Sequence, residues 1–165
     1  MVDTAVEVLK DAQGSKCAYV ASDEIAHFDY NIQKLCSITA SLASVKFTES
    51  FGARALFDCR VFNIPKEEVS NYFIWGQLDW TRNSVHMLAR SLYSHEELLD
   101  KKLPDLHEML YRKGVNWAET PGVWKNGAYI EYNSHPEARK WELFTDVIFT
   151  VDRGVIEKHL LPKEG

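Results

Sequence analysis

One stretch limits the possible folds more than any other: Ala18-Tyr19-Val20-Ala21-Ser22-Asp23-Glu24-Ile25, an apolar run that ends in paired carboxylates. Apolar, aromatic and β-branched side chains suit a pleated, buried surface, so a central strand is expected here with its acids at the tip. A carboxylate in that position can hold a divalent cation against phosphate oxygens, because hard cations take oxygen ligands. An acidic pair in a solvated turn has the same sequence, so these residues alone leave both readings open.

The remaining elements are read around that strand. Val2, Ala5, Val6 and Leu9 recur at helical spacing, and Gly14-Ser15 closes that helix before the strand 17–21. A second helix is expected over 28–47, with Leu35, Ile38, Leu42 and Val45 forming one stripe toward the core. Residues 55–64 read as a strand with Phe57, Cys59 and Val61 on one face and Asp58 and Arg60 on the other. Asp58 is then either half of a surface ion pair or a second carboxylate near Asp23.

Pro65 followed by Lys66-Glu67-Glu68 opens a long helix to about residue 92, since proline fits the first turn and acids favour the positive end of the helix dipole. Gly76 interrupts it; Gln77, Asp79 and Asn83 share a polar stripe only loosely, whereas Asp79 and Asn83 face the same way as an i, i+4 pair. Asp105 is expected to cap a short helix with Glu108 as its capping-box partner and Gly114 at its end. After the Lys125-Asn126-Gly127 turn, residues 128–132 read as a strand and 141–151 as strand or irregular chain. Asp152 is expected to cap a last helix through 161.

At 165 residues, with 45% hydrophobic and 12% aromatic content, one packed domain is expected. No apolar run approaches the roughly 20 residues that span a bilayer, and the first residues lack a signal-peptide pattern, which points to a cytoplasmic protein. Cys17, Cys36 and Cys59 are odd in number and widely spaced, and read as reduced packing residues. The histidines show no metal-ligand spacing. A net charge of −5 means that any nucleic-acid contact must be local, with Lys101-Lys102, Arg112-Lys113 and Arg139-Lys140 as candidate patches or simply solvated faces.

Read together, Ser22-Asp23-Glu24, FDCRVFNIPKEEVSNYFIWGQLDWTRNS (residues 57–84) and HEMLYRKGVNW (residues 107–117) resemble, in order and over nearly the whole chain, the bacterial and phage branch of the tRNA-histidine guanylyltransferase superfamily, the 3′-to-5′ polymerases. The resemblance implies an α+β fold, a ferredoxin-like polymerase palm with packed helices and a small C-terminal α/β extension. It implies one nucleotidyltransferase domain over 1–165, with 1–92 as palm core and 93–165 as an accessory part. The activity implied is template-dependent addition of nucleotides to the 5′ end of tRNA, using GTP and ATP with two Mg²⁺ ions, in a homotetramer.

Residue by residue, the resemblance makes Asp23 the metal carboxylate, Glu24 an auxiliary catalytic acid and Ser22 a nucleotide contact. It makes Asp79 and Asn83 the polar helix motif that positions triphosphate or 5′ end. Lys125 is the phosphate cation, with Lys113 as rival. Three departures stand out. The chain opens beyond the family's first strand and its Arg-x-Asp-Gly-Arg-x-Phe type motif, so the sequence reads as a shortened protein or as part of a longer chain. Only Ile25-Ala26-His27 separate the acids from the next helix, and Gly76 replaces an arginine. A noncatalytic tRNA-binding or oligomerising module and a palm-type nucleotide cyclase are the alternatives.

Overall fold

Cys17–Ala21 forms strand β1, and all five of its residues are buried. That burial follows from its position inside a four-stranded antiparallel sheet of order β2-β1-β3-β4. β2 (Glu24–His27) pairs on one side, with Ala21 opposite Glu24; β3 (Ala128–Asn133) pairs on the other, with Val20 opposite Ala128. β4 (Lys140–Phe144) completes the sheet against β3. Strands far apart in sequence thus share one sheet, two from each half of the chain. The computed structural model describes residues 1–11, 15–21, 24–27, 32–133, 135 and 140–160.

Strand alternation divides the core in two. Ala18, Val20, Ala128 and Ile130 face helix α1 (Val2–Asp11) and meet its Ala5 and Leu9. Cys17, Tyr19, Ala21 and Tyr129 point the other way, toward Phe73 and Trp80 of a long helix described below, with Phe149 and Ile156. Phe149 is the hub of that layer: its ring stands edge-on to Tyr19 at 5.3 Å, Phe73 at 5.8 Å and Tyr129 at 5.9 Å. Each such pair adds about 0.5–1.5 kcal/mol beyond the area it buries. Burial also pushes the Cys17 thiol up to about 12, which makes it an inert packing group.

Helix α2 (Ile32–Phe51) packs on α1 rather than directly on the sheet. The expected single apolar stripe is only partly covered: Leu35 is buried, while Ile38 is 37% and Val45 51% exposed. The described residues of α2 that are buried are Leu35 and Ala43. Residues 28–31 lie outside the described ones, as do Gly14 and Arg139.

Residues 55–64 form no strand. A strand needs a neighbouring strand to take its main-chain groups, and here hydroxyls on α2 take them: the Ala55 N–H donates to Thr48 Oγ1 at 3.2 Å and the Phe57 N–H to Ser44 Oγ at 2.9 Å. Phe57 packs edge-on against Phe47. Asp58 and Arg60 form the surface ion pair, 3.1 Å apart with both side chains largely in solvent, an arrangement that contributes little to stability.

Past Pro65, a 3₁₀ turn (Lys66–Glu68) leads into α3 (Val69–Arg90). Helix α4 (His95–Leu98) carries a capping box between Ser94 and Glu97. In α5 (Leu103–Arg112) the cap is Lys102, one turn earlier than expected: Pro104 fits the first turn and Asp105, at the third position, accepts the Lys102 N–H at 2.9 Å. α5 buries Leu106 and Leu110 against Val85 and Ala89 of α3. α6 (Gly122–Asn126) precedes β3, and α7 (Gly154–Glu157) is shorter than expected and begins after Arg153, without a side-chain cap from Asp152. Among the described residues no helix is long and apolar enough to cross a membrane.

Candidate active site

The polar face of α3 looks onto the end of β1. Between them lies a cavity of about 580 Å³, floored by Tyr19 and Ala21 and walled by Gly76, Asp79, Trp80 and Asn83. That volume falls in the range of small-molecule sites, and Ala21 is the residue immediately before Ser22-Asp23. Asp79 and Asn83 are joined by a hydrogen bond from Asn83 Nδ2 to Asp79 Oδ2 at 2.9 Å, as their one-turn spacing allows. The other oxygen of Asp79 accepts from Arg82 Nη2 at 2.7 Å. The carboxylate is thereby fixed in orientation while Asn83 keeps a second N–H and a carbonyl for a ligand. Trp80 contributes a buried indole N–H with no acceptor among the described residues.

The opposite side of α3 is anchored by Gln77, which is 5% exposed. Its Nε2 donates to Asn126 O at 3.1 Å and Val147 O at 2.9 Å, and its Oε1 accepts from the Phe149 N–H at 2.8 Å. Tyr19 Oη donates to the same Asn126 carbonyl at 2.7 Å, and Thr81 Oγ1 donates to Lys125 O at 3.2 Å. Gly127 completes the junction at φ +76°, where an added Cβ would stand 2.6 Å from Val20 O and 2.7 Å from Tyr19 Oη. Only glycine lets the chain turn so close to β1.

These contacts place the expected site residues unevenly. Asp79 and Asn83 share the cavity. Lys125 has its backbone tied to α3, but its Nζ donates to Ala118 O at 2.6 Å and lies 5.7 Å from the centre of the Trp117 ring, away from the cavity lining. Lys113 lies over Tyr93. Glu24 opens β2 opposite Ala21, with its side chain outside what is described, and Ser22 and Asp23 lie outside the described residues altogether. Gln77, expected loosely on a polar stripe with Asp79 and Asn83, is instead buried on the core side of α3, and spacing and motif did not single out the basic residues Arg82, His86 and Arg90 and the aromatic pair Tyr72 and Trp75, which also line the cavity. Gln77 was legible in principle: Ser70, Phe73, Gln77, Trp80 and Ser84 form the buried stripe of α3 at three- and four-residue steps.

Among the described residues no group of three or more His, Cys, Asp or Glu side chains could hold a metal ion. Asp79, the one described carboxylate lining the cavity, has both oxygens engaged. The described residues do not by themselves make a magnesium site.

A second polar cluster sits at the other end of the sheet and is structural in character. Tyr129 Oη lies 2.8 Å from Glu131 Oε2, 2.9 Å from Val155 O and 2.9 Å from His159 Nε2, and Lys158 Nζ lies 2.6 Å from Glu131. Burial opposes ionisation of Glu131, yet its bonds to Lys158 and Tyr129 outweigh this and hold the carboxyl below its usual range. Burial, with the Lys158 charge adding to it, keeps the His159 imidazole below its usual range against the pull of Glu131. The cluster fastens α7 to β3.

No protein-family profile and no curated protein sequence matches the chain. Solved structures do. A bacterial tRNA(His) guanylyltransferase-like protein in complex with ATP is 30% identical, superposes with a TM-score of 0.85, and is matched over 96% of this chain and 77% of its own. A bacterial protein of the same description in complex with GTP is 29% identical, with a TM-score of 0.76 over 98% of this chain and 76% of its own. The tRNA(His) guanylyltransferase of Saccharomyces cerevisiae, 19% identical with a TM-score of 0.63 over 91% of this chain and 77% of its own, shares the fold.

Proposed function

Given that the chain belongs to the bacterial tRNA(His) guanylyltransferase-like family, we propose that it adds nucleotides in the 3′-to-5′ direction to the 5′ end of a tRNA, as a template-dependent repair enzyme of the cytoplasm. The observation that carries this reading is the shared cavity of Asp79 and Asn83, which opens at the end of β1 where the chain enters Ser22-Asp23-Glu24.

In this reading the 5′ phosphate is first activated, by adenylylation from ATP or as a triphosphate already present. The 3′ hydroxyl of the incoming GTP then attacks that phosphorus, and AMP or pyrophosphate leaves as the new phosphodiester bond forms. There is little covalent work for the protein in such a transfer, so its share is positioning and charge stabilisation. Asn83 offers its remaining amide groups to phosphate or ribose, with Asp79 holding it in register. Lys125 uses one of its three donors on Ala118 O, away from the cavity lining, and keeps two for a tRNA phosphate outside the cavity. Asp23 and Glu24, with Ser22 beside them, are assigned the carboxylates for Mg²⁺, which when bound neutralises triphosphate charge. A homotetramer is part of the same proposal.

The test is incubation with labelled GTP, Mg²⁺ and a tRNA lacking its first nucleotide. Lengthening at the 5′ side that is lost in Asn83→Ala and Asp23→Ala supports the reading. No incorporation with any 5′-truncated tRNA, with or without ATP, rejects it.

A further inference from the structure

The irregular segment 55–64 runs along α2 in a definite register. Its Ala55 N–H donates to Thr48 Oγ1 and its Phe57 N–H to Ser44 Oγ. Two residues of extended chain advance about 6.6 Å and four helical residues about 6 Å, so the segment steps along one i, i+4 ridge of α2 toward the start of that helix. Exposure alternates to match: Ala55, Phe57, Cys59 and Val61 are half-buried, while Leu56, Asp58, Arg60 and Phe62 are exposed. The half-buried set is the one turned to α2. Beyond Thr48 and Ser44 the same ridge continues through Ala40 to Cys36. Cys59, the next inward residue after Phe57, comes to that end of the ridge, and its thiol hydrogen-bonds with that of Cys36.

Two thiols in contact are a chemical site in a way that one is not. Both are free and half-buried, which leaves them open to a small reagent, whereas Cys17 is fully buried in the sheet. Joining two sulfurs at about 2.05 Å asks for a small approach of the two chains. A segment tied by side-chain hydroxyls can make that approach more readily than a strand locked in a ladder.

We infer that Cys36 and Cys59 are a redox pair, which a small-molecule disulfide such as oxidised glutathione converts to a reversible intrachain bond that fastens segment 55–64 to α2. One cysteine, as thiolate, attacks a sulfur of the glutathione disulfide, and the first glutathione leaves as its S–S bond breaks. The second cysteine, as thiolate, then attacks the protein sulfur of that mixed disulfide, forming the Cys36–Cys59 bond and expelling the second glutathione. Two electrons pass from the cysteine pair to glutathione, and the two protons the cysteines lose go to the two glutathione thiolates. Burial, with the neighbouring Cys36 adding to it, pushes the Cys59 thiol up, so Cys36 makes the first attack and Cys59 the second. The bond closes a loop of about 24 residues. It also fixes the chain that leads, through Phe62 edge-on to Tyr72, into α3. Reducing conditions keep such a pair open, so the bond forms as a response to oxidation and not as a permanent staple. The pair acts independently of the nucleotide chemistry proposed above.

The test is incubation of the full chain in graded ratios of reduced to oxidised glutathione, acid quenching, alkylation of the remaining thiols in denaturant, and mass spectrometry. Oxidation is expected to remove two hydrogens, about 2 Da, with no glutathione retained. A non-reducing tryptic map should then show peptide 35–46 joined to peptide 55–60, with Cys17 alkylated. The oxidised chain should melt about 7–14 °C higher, the shift for a closed loop of about 24 residues in a domain of this size, and dithiothreitol should reverse it. Cys59→Ser is expected to retain one glutathione on Cys36 and to show no such rise. Wild-type cysteines that stay reduced or keep glutathione, a link between two chains on a non-reducing gel, or a link through Cys17 overturns the inference. An intrachain bond that leaves Tm unchanged overturns the fastening of the segment.

Discussion

Replacing Gln77 with leucine tests whether the joint between α3 and the β3 approach is held by its amide. Leucine has nearly the same volume, so the change removes hydrogen bonds and leaves packing almost intact. Three main-chain groups lose a partner: Asn126 O, Val147 O and the Phe149 N–H. Their losses are unequal. Asn126 O keeps its bond from Tyr19 Oη, Val147 is partly open to water, and Phe149 is 1% exposed. An orphaned buried N–H costs about 2–3 kcal/mol and a carbonyl that water can reach about 1 kcal/mol. Better burial of the leucine side chain offsets about 1 kcal/mol. The net loss is about 2–3 kcal/mol, which in a domain of this size lowers Tm by about 4–12 °C. Urea denaturation measures it directly, and a double-mutant cycle with Tyr19→Phe sharpens it. Either change alone leaves Asn126 O one donor, whereas both together leave it none, so the double variant should fall about 1–2 kcal/mol below the sum of the singles. A Gln77→Leu protein within about 0.5 kcal/mol of wild type, or strict additivity in the cycle, refutes the reasoning.

Four other outcomes follow from Gly76, Gly127 and the cluster around Glu131. Gly76→Ala should stabilise the protein by about 0.5–1 kcal/mol in thermal or urea unfolding, because the glycine lies inside a helix and a Cβ there meets nothing within 4 Å; Gly76→Arg would add a cation to the cavity wall and should tighten GTP binding measured by calorimetry. Gly127→Ala should destabilise by more than about 2 kcal/mol, since its Cβ would meet the Val20 carbonyl at 2.6 Å in a left-handed turn, and a melt that matches wild type would contradict this. Acidification should loosen the α7 latch in two windows. His159, held below its ordinary 6.5, binds more protons unfolded, so stability is full above that value and declines as pH falls beneath it. Glu131, held below 4.5, contributes stability above that value that is lost as pH falls through its folded pKa. Lys158→Met should reduce the second loss, as followed by Tm between about pH 7.5 and 3.5.

How far the sequence could be read depended on whether each signal was local. β1 was legible because a five-residue run with no exposed position has few alternatives to the inside of a sheet. α3 was legible because Pro65 and the acids behind it mark a helix start, and Asp79 and Asn83 could be paired by spacing alone. The segment 55–64 alternates like a strand, but alternation says nothing about whether another strand is there to receive its hydrogen bonds; the hydroxyls of Ser44 and Thr48 on α2 receive two of them instead. Lys125 shows the same limit at the site. Its motif, a base two residues before glycine, correctly marks the turn into β3, yet the direction of the side chain is set by Ala118 and Trp117, which are local neither to α3 nor to β1. Gln77 and the row Arg82, His86 and Arg90 share one helix and only differ in which face they occupy. The buried face is fixed by Phe73 and Trp80 packing under the sheet, and once it is fixed the cavity face is fixed too. Arg82, His86 and Arg90 therefore line the cavity because the core face of α3, whose Phe73 and Trp80 also border it, leaves them the more open side, which is why mutation of the core face, at Gln77, should also disturb whatever the cavity holds.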